Sequence, residues 1–320
     1  MSKLIMLIKA NQTNQSITLK IYNMRKITSF LLLAFLLSAF SAPSQSRGIL
    51  LAPVKIDGKW GYIDKTGKIA INPQFDRAGS FKEGLARIQL GGKYGFIDKN
   101  GKITIKPQFE GAWSFQEGLA GIQLGSKCGF IGKTGKIAIN PQFDDARWFQ
   151  EGLAGIKLGD KWGYIDKSGK IAIKLQFDFA GVFKEGLAKI LLGGKWGYID
   201  KSGKIAIKPQ FDETWWFQEG LAPIKLGGKW GYIDKNGKMV INPQFDEALW
   251  FQEGLASIKL GGKWGYIDKT GEIAIKPQFD KTWWFQEGLA PIKPGSQWGY
   301  IDKNGKIAIK PQFDDAGVFN

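Results

Sequence analysis

The sequence has no histidine and a single cysteine, and both shortages exclude classes of site. Without histidine, the chain lacks the side chain that most often acts as a general base or a metal ligand near neutral pH. One cysteine, Cys128, excludes an intramolecular disulfide and every zinc or iron–sulfur site built from several thiolates. We therefore expect neither a metal site nor a bound cofactor.

Long apolar runs are also scarce, and the clearest one covers residues 27–40 (ITSFLLLAFLLSAF). It is shorter than the roughly 20 residues that span a bilayer. Arg25 and Lys26 precede it, and the small residues Ala39 and Ser41 lie at its end, which is the layout of a secretory signal peptide. A start at Met24 gives a signal of ordinary length. We assign residues 24–41 to a signal peptide, 1–23 to an upstream extension outside the fold, and 42–50 to a short linker.

This layout predicts an exported protein that is periplasmic, at the cell surface or extracellular, with no membrane span once the signal is removed. The net charge of +16 is supplied mainly by lysines that recur evenly along the chain. Even spacing favours solubility and protection of strand edges first, and attraction to an anionic partner second. We do not expect nucleic acid to be a partner of an exported chain.

A dipeptide of Trp, Tyr or Cys followed by Gly recurs every 34 residues without insertion or deletion. Eight units fill residues 51–320, and the last is truncated. Helical repeats of this length exist, but the glycines, the prolines and the alternating β-branched residues exclude them here. The dipeptides begin at Trp60, Tyr94, Cys128, Trp162, Trp196, Trp230, Trp264 and Trp298.

One unit shows the strand pattern that the others repeat. Residues 221–226, 230–234 and 238–245 read as strands, joined by a Gly227-Gly228 turn and an Asn236-Gly237 turn, both typical of tight hairpins. A polar and aromatic connection, 246–254, leads to the next unit. The sequence therefore predicts an all-β array of eight three-stranded antiparallel meanders.

The motifs KWGYIDKxGKIAIKPQFD and FQEGLA, which recur over residues 51–320, resemble the WG (KWG) repeats of bacterial proteins. The resemblance implies a β-rich repeat module and supplies no catalytic residues. Unit three departs most, with Cys128 in place of Trp and Gly132 in place of Asp. We expect an open superhelical stack; the alternative is a closed propeller-like ring, which would bring Leu51 beside Phe319.

A two-residue turn fixes the register of the strands it joins. It places Lys225 opposite Trp230, and Ile224 and Leu226 together on a second face that we expect to be buried. The glycine of the motif is expected to allow close approach to that aliphatic face. The motif tryptophans are interpreted as structural, half-buried rings covered by lysine stems, and the alternative is that they are platforms on which sugar rings stack. They are Trp60, Trp162, Trp196, Trp230, Trp264 and Trp298.

The side chains that could act in catalysis do not form the pattern of a catalytic site. The aspartate of YID and the glutamate of QEG recur in nearly every unit, whereas paired-carboxylate catalysis needs two groups in different environments. Gly132-Lys133-Thr134 lacks the first glycine of a phosphate-binding loop. Cys128 replaces a tryptophan and has no histidine to activate it. We expect no enzymatic activity.

Tryptophans that do not follow the repeat are concentrated in the connections, where repeat proteins carry specificity. They could cover the joints between units, or they could bind a partner. We expect a binding or scaffolding surface, with a protein partner at the cell envelope first and an anionic polysaccharide or cell-surface glycan second. The candidate binding residues are Trp113, Trp148, Trp215, Trp216, Trp250, Trp283 and Trp284.

Overall fold

A computed structural model describes residues 51–64, 66, 68–313 and 316. The upstream extension, the signal peptide and the linker lie outside the described residues, and so does Phe319. Within the described ranges the chain forms β-strands and no helix, which confirms the all-β prediction. Those ranges accordingly contain no helix long and apolar enough to cross a membrane.

The strands form eight sheets that follow one another along the chain. Sheet 1 contains Ala52–Ile56 (β1), Lys59–Ile63 (β2) and Ile69–Phe75 (β3). Sheets 2 to 8 contain, in chain order, Arg77–Ala78, Ala86–Leu90, Lys93–Ile97 and Ile103–Phe109 (β4–β7); Gly111–Ala112, Leu119–Leu124, Lys127–Gly132 and Ile137–Phe143 (β8–β11); Asp145–Ala146, Leu153–Leu158, Lys161–Asp166 and Ile171–Phe177 (β12–β15); Phe179–Ala180, Leu187–Leu192, Lys195–Asp200 and Ile205–Phe211 (β16–β19); Glu213–Thr214, Leu221–Leu226, Lys229–Asp234 and Met239–Phe245 (β20–β23); Glu247–Gln252, Leu255–Leu260, Lys263–Ile267 and Ile273–Phe279 (β24–β27); and Lys281–Thr282, Leu289–Lys293, Trp298–Asp302 and Ile307–Phe313 (β28–β31).

Sheets 2 to 8 each have four antiparallel strands, one more than the predicted meander. The additional outer strand comes from the start of the connection, which we had interpreted as a loop, and it is two residues long in every sheet except sheet 7, where β24 has six. In sheet 6, Glu213 of this strand lies opposite Lys225 and Thr214 lies opposite Ile224. A strand of two residues is too short to show the alternation of apolar and polar residues that marks a strand in a sequence. Its extended conformation comes from pairing with the neighbouring strand.

The predicted register is confirmed. Gly227 and Gly228 have positive φ angles of 59° and 82°, the conformation that a tight hairpin turn needs and that glycine adopts without strain. Lys225 lies opposite Trp230, and the pairs on either side of it also form as predicted.

A β-bulge occupies the pairing between the last two strands of each sheet. Around Gly231 the register advances by two residues in β22 but by four in β23. A Cβ on Gly231 would lie 2.5 Å from the carbonyl oxygen of Ile241 and 2.7 Å from the backbone nitrogen of Pro243. Only glycine fits here, because the backbone of β23 occupies the space that a Cβ would need. The prediction that the glycine allows close approach to the aliphatic face is therefore wrong.

The core lies between successive sheets, with one cluster of buried side chains at each of the seven junctions. At the junction of sheets 5 and 6, Tyr198 and Phe217 pack with Ile224 and Ile233. Tyr232, on the other face of sheet 6, belongs to the cluster shared with sheet 7. Each sheet thus needs a neighbour on both faces to bury its apolar side chains, each of which contributes about 1.5–3 kcal/mol.

The prediction that Leu226 is buried with Ile224 is wrong, because Leu226 is 42% exposed. It is the last residue of β21, beside the glycine turn and opposite the exposed Lys229. It therefore lies at the rim of the sheet, beyond the core cluster that covers Ile224.

The eight sheets are separate and form no closed barrel. In the described part of the chain, no strand of sheet 1 pairs with a strand of sheet 8. Phe313 of sheet 8 is 40% exposed, whereas the corresponding Phe245 and Phe279, which have a following sheet, are 1% and 4% exposed. This arrangement is consistent with the expected open stack.

Candidate functional site

Two contacts hold each connection between successive sheets. Phe251 packs on Tyr232 with ring centroids 5.0 Å apart, and the equivalent rings lie 4.8–5.0 Å apart at the other junctions. Glu219 has a positive φ of 52°, and its carboxylate accepts a hydrogen bond of 3.0 Å from the N–H of Gly254 in the next connection. The residues before each phenylalanine are therefore held in a repeating geometry.

This geometry places three of the predicted tryptophans in a row, with neighbouring rings tilted by 36° and 40°. Trp216, Trp250 and Trp284 each precede the phenylalanine of their connection. The centroids of Trp216 and Trp250 are 4.9 Å apart, and those of Trp250 and Trp284 are 5.1 Å apart. All three rings are half-buried, and Lys184 Nζ lies 5.5 Å from the Trp216 centroid. We call these three residues the tryptophan row.

Two further tryptophans adjoin the row edge to face. Trp215 is half-buried and lies 5.7 Å from Trp216. Trp283 is 41% exposed and lies 5.6 Å from Trp284. The structure therefore brings five of the seven predicted binding residues together across three connections.

The remaining two candidates lie elsewhere. Trp113 is half-buried and packs against the core cluster between sheets 3 and 4, which is the joint-covering role considered as the alternative. Trp148 is 42% exposed, and the connection that follows carries Val182 at the corresponding position. The row therefore does not extend from Trp216 back to Trp148.

The motif tryptophans divide into two groups, so the expectation that all are half-buried is wrong in part. Trp60, Trp196 and Trp264 are half-buried, whereas Trp162, Trp230 and Trp298 are buried.

Added neighbours explain the extra burial. Arg147 lies 4.8 Å above the Trp162 ring, and Trp283 is stacked on Trp298 at 6.5 Å and 15°. Trp215 packs against the cluster that contains Trp230.

The predicted covering by the facing lysine is present at three of the motif tryptophans. Lys225 Nζ lies 5.8 Å from the centroid of Trp230, and the equivalent lysines lie 5.9 Å from Trp264 and Trp298. Trp196, which faces Leu191, has Lys189 at 4.8 Å instead. These cation–π contacts are worth about 0.5–1 kcal/mol each when exposed.

A pocket of about 430 Å³ opens between sheets 7 and 8. Three tryptophans form its aromatic walls: Trp264, Trp283 and Trp298. Its charged lining residues are Glu247, Lys259, Asp280 and Lys281. Sequence reasoning missed this pocket because it forms only where the sheets meet.

The glutamates of QEG serve as links between units. Glu185 forms an ion pair with Lys235 (Oε2–Nζ 3.0 Å) and accepts a hydrogen bond of 3.0 Å from the N–H of Gly220. Burial acts to raise the pKa of this carboxyl, but the Lys235 ammonium and the Gly220 N–H outweigh it and hold the pKa below its ordinary value. Ion pairs of the same spacing are Lys133–Glu83, Lys167–Glu117, Lys201–Glu151, Lys269–Glu219 and Lys303–Glu253.

Cys128 is buried in the core, and burial raises the pKa of its thiol. A raised pKa keeps the sulfur in the unreactive thiol form. Within the described ranges, no three acidic or cysteine side chains come close enough to hold a metal ion.

Comparison with solved structures shows the fold alone. The eukaryotic initiation factor crystal structure is 10% identical, with 82% of this chain and 84% of that chain covered, at a TM-score of 0.62. The dihydro-heme d1 dehydrogenase NirN in complex with DHE is 13% identical, with 87% of this chain and 77% of that chain covered, at a TM-score of 0.51. No curated protein sequence matches this chain.

The sequence profile described as "WG containing repeat" matches along almost the whole array. The matched residues are 60–94, 94–128, 129–162, 162–196, 196–230, 230–264, 264–295 and 298–320. These boundaries follow the 34-residue period, and each match begins within the middle one of the three long strands of a sheet. The chain therefore belongs to the family of proteins built from WG repeats.

Proposed function

We propose that this protein is an exported, non-enzymatic scaffold that binds another protein through the tryptophan row and its two adjoining rings. The observation that carries the proposal is the direct contact of Trp216, Trp250 and Trp284, one from each of three successive connections, without full burial of any ring. Partly buried tryptophans are enriched in protein interfaces, where they contribute large contact areas at a low entropic cost.

The row is also held in place before any partner arrives. Each of its tryptophans precedes a phenylalanine that is fully buried, and the connections are linked by the carboxylate of one and the glycine N–H of the next. A surface that is already ordered loses little conformational entropy on binding. This favours recognition of a surface or segment long enough to contact three connections.

The export and the lack of enzymatic activity remain proposals that rest on the sequence. Support for export comes from the signal-like segment, residues 24–41. Expression of the full chain in a bacterial host, followed by fractionation and N-terminal sequencing, tests it. We expect cleavage after about Ser41 and recovery outside the cytoplasm; an intact leader on a cytoplasmic chain would contradict export.

Binding is tested by capturing proteins from envelope and medium fractions of the cells that produce the chain. Trp250→Ala removes the middle of the row, and Trp148→Ala is the matched control because Trp148 is exposed but lies outside it. We expect at least one protein to bind the wild type and Trp148→Ala but to be depleted about tenfold or more with Trp250→Ala. Identical capture by all three chains would overturn the proposal, provided circular dichroism shows the same fold.

A further inference from the structure

One cross-strand pair recurs between the outer strand and the first long strand of successive sheets. In sheet 6, Glu213 lies opposite Lys225, and their charged atoms are 2.8 Å apart. In sheet 7, Glu247 lies opposite Lys259, with the corresponding distance at 2.9 Å. Opposite charges in directly facing positions stabilise the pairing of two strands.

Sheet 8 breaks this pattern. Lys281 occupies the position of the glutamate and lies directly opposite Lys293. Like charges in facing positions destabilise strand pairing, and neither lysine forms an ion pair with an acidic side chain in the described part of the chain. None of sheets 2 to 7 places two like charges at this position; their pairs are Arg77–Gln89, Gly111–Gln123, Asp145–Lys157, Phe179–Leu191, Glu213–Lys225 and Glu247–Lys259.

The two lysines adjoin the pocket between sheets 7 and 8. Lys281 lines the pocket, and Lys293 Nζ lies 5.9 Å from the ring of Trp298 in the pocket wall. The other three charged lining residues are already neutralised, since Glu247 pairs with Lys259 and Asp280 pairs with Lys263. The uncompensated charge of the site is therefore positive.

The remaining lining is apolar, from three tryptophans and Leu249, except for the buried Thr282. Trp283 is 41% exposed and lies parallel to Trp298. A volume of about 430 Å³ falls in the range of small-ligand sites, roughly 300–1,000 Å³.

We propose that this pocket binds an anionic sugar residue of the uronic acid type. The carboxylate would lie between Lys281 and Lys293, where it would supply the negative charge that Glu213 and Glu247 supply in sheets 6 and 7. The apolar face of the sugar ring would contact the tryptophan walls. An acidic peptide would use the lysines but has no flat apolar ring face for the tryptophans.

Calorimetric titration of the full chain with trigalacturonic acid tests the proposal, with maltotriose as the neutral probe. We expect the uronate to bind about tenfold or more tightly than maltotriose. Lys281→Glu recreates the pair of sheets 6 and 7, so it should remove uronate binding without lowering the melting temperature. Lys276→Glu changes the charge equally on the exposed surface of β27, outside the pocket, and should leave binding unchanged.

Three results would overturn the inference. These are equal affinity for the two saccharides, retention of uronate binding by Lys281→Glu, or equal losses with Lys281→Glu and Lys276→Glu. If a hexaglutamate peptide bound more tightly than trigalacturonic acid and this binding depended on Lys281, the pocket would be assigned to acidic peptides and the proposal of a sugar ligand would be overturned. Lys281 lies outside the tryptophan row, so a failure here leaves the test with Trp250→Ala unaffected.

Discussion

Gly231 and Pro243 lie so close across the bulge of sheet 6 that a Cβ on the glycine would be 2.7 Å from the proline nitrogen. The position of a Cβ is fixed by the backbone of residue 231, and the proline nitrogen is itself a backbone atom, so no side-chain rotation can relieve the contact. The equivalent glycine of every sheet has the same close approach to the strand that follows. The WG motif is thus a condition for pairing the last two strands, which explains why its glycine is present in all eight units.

Gly231→Ala should therefore lower the stability of the array by about 2–3 kcal/mol or more, because the β23 backbone has to move. Gly132→Ala is the control, since a Cβ at Gly132 meets no atom within 4 Å. Thermal unfolding followed by circular dichroism measures both. We expect a clear fall in the melting temperature for the first and no fall for the second; equal midpoints would contradict this account of the bulge.

Replacing a linking glutamate should weaken the junction it serves. Glu185→Gln keeps the shape of the side chain but removes the charge that Lys235 and the Gly220 N–H contact, and we expect a loss of about 1 kcal/mol. Glu287 has the same backbone conformation, with a φ of 53°, but no partner in the described part of the chain. Glu287→Gln should be neutral in urea unfolding. A similar loss at both positions would show that the junction contact is unimportant.

Acid should destabilise the array through the same carboxyls. The pKa values of Glu83, Glu117, Glu185 and Glu253 are held below their ordinary value of 4.5 in the folded chain. A lowered folded-state pKa contributes stability that is fully present above the unfolded-state value and is lost as the pH falls through the folded-state value. Melting temperatures measured between about pH 3 and 6 should be flat near the upper limit and fall below about 4.5. A constant melting temperature down to about pH 3 would refute this linkage.

The lysine that covers a motif tryptophan should contribute more to the free energy of unfolding than the glutamine at the same position in another unit. Lys225 lies 5.8 Å from the Trp230 ring and pairs with Glu213 at 2.8 Å, whereas Gln89 bonds only the carbonyl oxygen of Gly92. Lys225→Ala should cost about 1 kcal/mol, and Gln89→Ala should cost less. Equal shifts of the denaturation midpoint would remove the cation–π explanation.

The sequence was sufficient for the period, the three long strands and the register. A two-glycine turn leaves a single pairing for Lys225 and Trp230, and β-branched alternation identifies the strands around it. The outer strand was missed because Glu213 and Thr214 adopt extended structure only through pairing with β21. The exposure of Leu226 also depends on where the neighbouring sheet ends, which no local pattern encodes.

The candidate sites were predictable to different degrees. The concentration of tryptophans in the connections was visible in the sequence. The contact between the rings of Trp216 and Trp250 was not, because it depends on how two connections lie side by side. One residue in the sequence could have pointed to the pocket between sheets 7 and 8. Lys281 stands where two earlier units carry Glu213 and Glu247. That Lys281 faces Lys293 follows only from the pairing of the outer strand, which the sequence did not predict.

The carboxylate of each linking glutamate contacts only the glycine and the lysine of units farther along the chain, and these contacts are alike at successive junctions. A gene that gained or lost one 34-codon cassette by recombination would still encode compatible neighbours on both sides of the change. The length of the molecule is therefore open to evolution in single steps, while the two sites near its C-terminal end could be carried along unaltered.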